Sequence, residues 1–189
     1  MFRSDTRDDV AVMSNVGGRS TYQNVPRTQR RGAELAIVQP LGERWRWRAA
    51  WTHLHAEFRA AFFGCSGTPC THPNTAIAAG TPLPGVPRGY GSLRLEYAGS
   101  PWRAGIEVQA SSSLSADDAG TAIAPGYAIA ALDAGREWRV GDGAIELHCR
   151  IDNVLDRRYV GSVIVNDGNG RYFEPAPGRT FLALARWRW

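Results

Sequence analysis

Over much of this chain apolar and polar side chains alternate one for one, in runs longer than most soluble strands. From Arg44 the odd positions read Trp45, Trp47, Ala49 and Trp51, and the even ones Arg46, Arg48, Ala50 and Thr52. From Trp102 one face carries Ala104, Ile106, Val108 and Ala110, and the other Arg103, Gly105, Glu107 and Gln109. Ile145, Leu147, Cys149 and Ile151 alternate with Glu146, His148, Arg150 and Asp152, and Phe181, Ala183, Ala185, Trp187 and Trp189 make a further stripe. A period of two marks a strand whose faces meet different surroundings. Helical periodicity is scarce and Gly and Pro interrupt the chain often, so the predicted class is all-β.

The pattern predicts about eight strands, roughly Phe2–Val12, Thr21–Val38, Arg44–Phe58, Gly89–Tyr97, Trp102–Ser113, Tyr127–Arg139, Ala144–Val160 and Arg179–Trp189. Several exceed the usual five or six residues and suit a tilted membrane strand. Short turns at Gln39–Glu43, Ala98–Pro101 and Gly141–Gly143 alternate with long loops at Met13–Ser20, Arg59–Arg88, Leu114–Gly126 and Gly161–Gly178. Outer-membrane barrels alternate short inner turns with long outer loops in this way. The expected architecture is an antiparallel meander, either an open curved sheet or a small closed barrel of eight strands.

Alternation by itself fits a soluble sheet with one wet face equally well. The tryptophans separate the two. With the short turns on one side of a membrane, six of the seven Trp fall at one level, together with Tyr97. The predicted belt is Trp45, Trp47, Tyr97, Trp102, Trp138 and Trp187, with Trp189 at the same end. Such rings gather at membrane–water interfaces because the ring is apolar and its polar atom needs a partner. Arg136 falls on the apolar face near that level, where an arginine costs only about 0–1 kcal/mol and its stem can snorkel. The alternative is a soluble or surface-anchored all-β binding module, with the same strands stacked as a sandwich.

Composition narrows the function classes. All of the 22 basic side chains are Arg, against 18 acidic ones, for a net charge of +4. They stand singly among apolar residues, which argues against a nucleic-acid partner. No apolar run approaches the roughly 20 residues of a membrane helix. Residues after Met1 lack a signal-peptide pattern, so an exported chain is expected to lack its beginning. No nucleotide-binding Gly loop and no acid–base pair at fixed spacing is present; the chain is read as no enzyme, without a cofactor.

Cys65 and Cys70 enclose a polar Gly/Pro loop and are the disulfide candidate, implying an oxidising compartment. Together with His53, His55 and His72 they could ligate zinc, but the spacing matches no standard finger. His148 and Cys149 are strand neighbours pointing to opposite faces, so they form no catalytic pair. Asp167–Gly170 lacks the full calcium-loop pattern and reads as a turn. Glu34, Arg46, Arg48, Arg94, Glu96, Arg103, Glu107, Glu146, Arg150 and Asp152 read as cross-strand pairs on a wet inner wall.

Several segments resemble, in order, those of the TonB-dependent outer-membrane receptors. Asn153–Val160 (NVLDRRYV) is similar to that family's motif near the C-terminus, including Asn153, Asp156 and Tyr159. Phe173–Thr180 (FEPAPGRT), with Pro177, Gly178 and Arg179, resembles the element that opens its last strand. Phe181, Ala183, Ala185, Trp187 and Trp189 resemble its terminal assembly signal, with Trp in place of the usual Phe at the end. Gly17–Glu34 and Leu83–Pro87 resemble two earlier strand entries. The resemblance implies a cell outer-membrane location and, in full-length members, a barrel of about 22 strands with an N-terminal plug, energised through TonB. Partners would be membrane lipid, the assembly machinery, the plug and TonB; the solute would be scarce and large, such as a ferric siderophore. Residues 1–189 are read as the C-terminal part of the transmembrane β-barrel domain, without plug, TonB box or signal peptide, and so as not transporting alone. The residues that bind substrate are unknown, with loops Arg59–Arg88 and Gly161–Gly178 the places to look.

Overall fold

Each alternating run becomes one strand of a single sheet in the computed structural model, which describes residues 1–68 and 70–189. The strands are β1 (Phe2–Val16), β2 (Arg19–Leu41), β3 (Trp45–Phe58), β4 (Gly89–Gly99), β5 (Trp102–Ser111), β6 (Tyr127–Val140), β7 (Gly143–Asp152) and β8 (Thr180–Arg188). They pair antiparallel in chain order, each with the next. The sheet is open: among the described residues β1 has β2 as its one strand neighbour, apart from a single bridge of Asn15 to Asp167, and β8 has β7. β1 opens opposite Gly32, so Ala33–Leu41 of β2 has β3 alone as its neighbour. No helix among the described residues is long and apolar enough to cross a membrane.

The first outer connection differs from expectation. Residues expected as a loop, Met13–Ser20, belong mostly to β1 and β2, joined at Gly17–Gly18. Both glycines have positive φ, 57° and 78°. A two-residue turn of this hand matches the twist of the flanking strands and suits glycine. Strict long–short alternation therefore fails here; a long hairpin stands in place of the loop. β7 also stops earlier than expected, at Asp152 and not Val160. Asn153 turns the chain with a φ of 48°, and its side-chain oxygen accepts from the Arg157 N–H at 2.9 Å. The longer loops carry short ladders, pairing Phe62–Gly64 with Thr75–Ile77 and Val160–Val163 with Phe173–Pro175.

Along β2 and β3 the two faces exchange character. From Trp45 to Trp51 the outward face is apolar, and it continues across the sheet through Leu93, Ile106, Leu132 and Leu147. The opposite face carries Arg48, Arg94, Glu107 and Asp133. Above Trp51 the order reverses. His55 and Glu57 now face outward, in register with Arg31 and Gln29. Leu54 and the buried Ala56 and Phe58 face inward, packed with Val25, Phe62, Ile77 and Leu83. At about 3.3 Å per residue and a tilt of about 40°, the ten steps from Trp45 to His55 rise about 25 Å. That is the height of the apolar band on a membrane barrel. An inner face covered by loop residues and an outer face turned charged is what water above the band requires.

Substituting Gly18 by Val should destabilise the β1–β2 hairpin by about 1–2 kcal/mol, since a β-branched residue resists the left-handed conformation. Limited proteolysis checks this: cleavage within Met13–Ser20 should rise while the sheet below stays protected.

Candidate functional site

The inner face of β4 to β8 is a charged trough of about 440 Å³, lined by residues from Arg94 on β4 to Arg186 on β8. Its hub is Asp133 on β6, whose side chain is only 7 % exposed. Asp133 pairs with Arg94 at 2.8 Å and Arg150 at 3.5 Å, and His148 Nε2 lies 3.4 Å from it. Arg94 also reaches Glu96 at 2.7 Å and Glu107 at 3.3 Å, and Arg48 pairs with Glu96 at 2.5 Å. Arg103 pairs with Glu146 at 3.2 Å near the short-turn end. Gly105 lies between the partners of the hub. A Cβ there would stand 2.6 Å from Arg94 Nη2 and 2.8 Å from Asp133 Oδ1, so only glycine lets that pair close across β5. The network crosses five strands with opposite charges interleaved, which keeps the trough wet without a net field strong enough to repel either ion sign.

The outward face carries the aromatic row. Trp45 and Tyr97 are register partners with ring centroids 5.0 Å apart. Tyr97 pairs with Ala104, Trp102 with Arg136, and Trp138 with Ile145, itself opposite Trp187. The row thus slants across the register, as a level girdle does on tilted strands. Trp47 sits just above Trp45 and is half-buried, and Trp189 lies past the end of β8. Trp45, Trp51, Trp102, Trp138 and Trp187 are 38–49 % exposed. A sandwich would bury such residues against a second layer; none covers them among the described residues. The Arg136 guanidinium lies 4.7 Å from the Trp102 ring centre and 5.2 Å from that of Trp138. Two aromatic faces offset the charge's loss of water, a contact worth about 0.5–2 kcal/mol each. Sequence placed this arginine on the apolar face but could not supply its partners. Cys149 is free and outward, between Ala134 and Ala183 in register, away from His148.

Above the band, two loops and the β1–β2 hairpin are tied by Asn166. Its amide donates to Val12 O at 2.7 Å and to Asp118 Oδ2 at 2.9 Å, and its side-chain oxygen accepts from the Asp118 N–H at 3.0 Å. Its backbone N–H donates to Ala116 O at 2.9 Å, and its carbonyl accepts from Asn15 at 3.0 Å. Burial, then the Asp117 charge, raise the Asp118 carboxyl to about 6 against the opposing pull of Asn166. Beside the knot lies a pocket of about 160 Å³ whose lining includes Cys65, Thr75, Asp117, Asp118 and Tyr172. Cys65 and Cys70 are joined by a disulfide, with Cα atoms 5.9 Å apart. His53 stacks on Trp51, with centroids 5.9 Å apart, and His55 contacts Glu57 at 3.1 Å, so both are engaged on the sheet's outer face. Asp167 accepts from the Asn169 and Arg171 N–H groups, closing a turn at the loop tip.

The segment Asn153–Val160 and the element Pro177–Arg179 meet at the top of β7 and β8. The Asn153 amide donates to Arg157 O at 2.8 Å and Pro177 O at 3.4 Å. Asp156 Oδ1 accepts from the Arg179 N–H at 2.8 Å, and a Cβ on Gly178 would lie 2.8 Å from that same oxygen. The motif residues therefore set the start of β8 against the end of β7. Tyr159 packs on Tyr127 with centroids 4.4 Å apart, at the upper end of the trough.

An open meander with an apolar outer band, slanted aromatics and a charged inner trough is a stretch of transmembrane barrel wall. Residues 1–154 match the family described as TonB dependent receptor-like, beta-barrel, and the chain belongs to that family. Its relatives include the probable TonB-dependent siderophore receptor PiuA of Acinetobacter baumannii, 25 % identical over 171 residues. That match covers 90 % of this chain and 22 % of the relative. The crystal structure of PiuA superposes with a TM-score of 0.73 at 23 % identity, over 98 % of this chain and 25 % of that one. The ferric preacinetobactin receptor BauA of the same organism gives 0.68 at 16 % identity, over 99 % and 26 %. The chain thus spans about a quarter of the length of these proteins. The family is one of transport receptors, whose full-length members work with a plug domain and TonB.

Replacing Asp133 by Ala should lower stability by about 1–3 kcal/mol, because Arg94 and Arg150 lose their shared carboxylate; denaturation of the lipid-reconstituted chain reads this. Asp118 binds its proton more tightly folded than unfolded, so its contribution to the loop knot is full below about pH 4 and declines as pH rises through 6. Hydrogen exchange at Asn15, Ala116 and Asn166 should therefore quicken between pH 5 and 7 beyond its ordinary base catalysis, and Asp118→Asn should abolish that excess.

Proposed function

We propose that this chain forms part of the wall of an outer-membrane receptor that takes up a scarce, large solute such as a ferric siderophore. The exchange of polar and apolar faces between Trp51 and His55 carries the reading, because it sets one hydrocarbon-thick band below a water-exposed rim. The relatives PiuA, a probable TonB-dependent siderophore receptor, and BauA, a ferric preacinetobactin receptor, support that class of solute. In this reading Trp45, Trp47, Tyr97, Trp102, Trp138 and Trp187 are the interfacial belt. The trough from Arg94 to Arg186 faces a plug, and the loops around Asn166 and Cys65–Cys70 face the solute. The outward stripe Phe181, Ala183, Ala185, Trp187 and Trp189 on the edge strand is the signal for the assembly machinery. With its trough open on one side, the sheet of residues 1–189 is read as wall and not as a transporter by itself.

Reconstitution in vesicles of brominated phosphatidylcholine tests the wall. Bromine near the headgroup should quench tryptophan emission more than bromine at the bilayer centre, because most indoles sit at one interface. Equal indifference to both lipids contradicts a membrane wall and favours a soluble sandwich.

A further inference from the structure

Along the trough Asp133, Glu107 and Glu146 each have an arginine. The pocket beside the Asn166 knot is built differently. Asp117 and Asp118, from the loop between β5 and β6, and Asp167, from the loop between β7 and β8, line it and are only 3–8 % exposed. Among the described residues no arginine or histidine lines it. Three carboxylates thus share one small wall without a cation, although buried charges are otherwise paired or hold an ion. Asp117 spends its oxygens on its own loop: Oδ1 accepts from the Thr121 and Ala122 N–H groups at 2.8 and 3.0 Å, and Oδ2 from the Thr121 hydroxyl. Asp118 gives Oδ2 to the Asn166 amide, and its Oδ1 has no hydrogen-bond partner. Asp167 takes the Asn169 and Arg171 N–H groups through Oδ2 alone. Two carboxylate oxygens are therefore left for a guest. The Tyr172 phenol is raised by burial first and then by the Asp117 and Asp167 charges, so it stands within the field of both. Ile77, Ala119 and the disulfide-bonded Cys65 give the same pocket an apolar side.

We infer that this pocket takes a primary ammonium group on a short alkyl arm of the transported solute. The inference rests on the reading of these loops as the solute-facing side of the receptor wall. Three features select an alkylammonium over other cations. First, among the described residues no three carboxylate, histidine or cysteine groups converge closely enough to hold a metal ion. An ammonium group brings three donors of its own and needs only separate acceptors, such as Asp118 Oδ1 and the free oxygen of Asp167. Second, the apolar side at Ile77 and Ala119 suits a hydrocarbon stem, which a hydrated metal ion lacks. Third, the size fits: at about 30 Å³ per water-sized group, a cavity of about 160 Å³ holds about five non-hydrogen atoms. The Asn166 bonds fix Asp118 and the disulfide fixes Cys65, so the acceptors are in place before the guest arrives.

The full chain, isotope-labelled and reconstituted in phosphatidylcholine nanodiscs, is titrated with n-butylammonium chloride, with 1-butanol as the neutral molecule of the same shape. The side-chain amide resonances of Asn166 read the occupancy of the pocket. Butylammonium should shift them saturably, and butanol should bind about tenfold more weakly, since it lacks the charge-assisted bonds. Asp118→Asn keeps an oxygen for the Asn166 amide but loses the charge, and should weaken butylammonium about tenfold. Where that variant loosens the knot, seen as lost protection at Asn15 and Ala116, Asp167→Asn carries the test with the same loss expected. Glu43→Gln, in a short turn at the opposite end, should bind as the native chain does. Equal binding of butylammonium and butanol by an inserted chain, its tryptophan emission shifted to the blue, overturns the ammonium pocket and leaves the wall standing. Calcium chloride binding more tightly than butylammonium overturns the amine in favour of a metal. Amine binding by a chain that does not insert leaves the pocket and overturns the receptor reading on which its solute rests.

Discussion

A backbone inside hydrocarbon finds no water, so each of its N–H and C=O groups must be paired with another strand. That constraint shapes the rest of this molecule. It demands long, regular, antiparallel ladders, and β4 to β7 supply them with no register shift across the band. With the backbone satisfied sideways, side chains are free to sort by face alone. One face takes what dissolves in lipid and the other takes arginine and carboxylate. The ladders leave two edges, at β8 and along the lower part of β1 and β2, with no further strand beside them among the described residues; only at its upper end is β1 met, by Asn166 and Gly168. In lipid each unpaired group costs several kcal/mol. The chain spans about a quarter of its relatives, and pairing of these edges by further wall is the arrangement that removes that cost.

The band was legible in the sequence because period two is a local property. Each of β3 to β8 could be read from its own residues, and the level of Trp45, Trp102, Trp138 and Trp187 followed from strand direction. What lies above the band was not legible in the same way. There the faces invert, so Leu54, Ala56 and Phe58 point inward while His55 points out. Alternation continues through that inversion without a break, and nothing in the local pattern marks it. The Met13–Ser20 segment looked like a loop because its polar residues resemble loop composition; the hairpin is set by two glycines and by cross-strand pairing.

Contacts between distant residues were hidden for a different reason. Asp133 as hub of Arg94 and Arg150, Gly105 as the gap between them, and Arg136 between Trp102 and Trp138 all depend on register. Register joins residues tens of positions apart, and a single sequence carries no direct trace of it. Asn166 is a sharper case. It sits in a loop of ordinary composition, yet it binds Val12, Asn15, Ala116 and Asp118. The motif Asn153–Tyr159 was recognisable by resemblance, and the structure gives its physical content: an asparagine and an aspartate that clamp the entry to the last strand.

The central claim is that one face of this sheet meets hydrocarbon and the other meets water. In a Cys149→Ser background, single cysteines at Leu93, Ile106 and Leu132 and at Glu107, Asp133 and Arg150 can each carry a nitroxide in vesicles. Electron paramagnetic resonance then compares relaxation by oxygen, which concentrates in lipid, with relaxation by a charged nickel complex, which stays in water. The account requires oxygen to dominate at the first three sites and nickel at the second three. Equal access to nickel on both faces, or an inverted order, would contradict it.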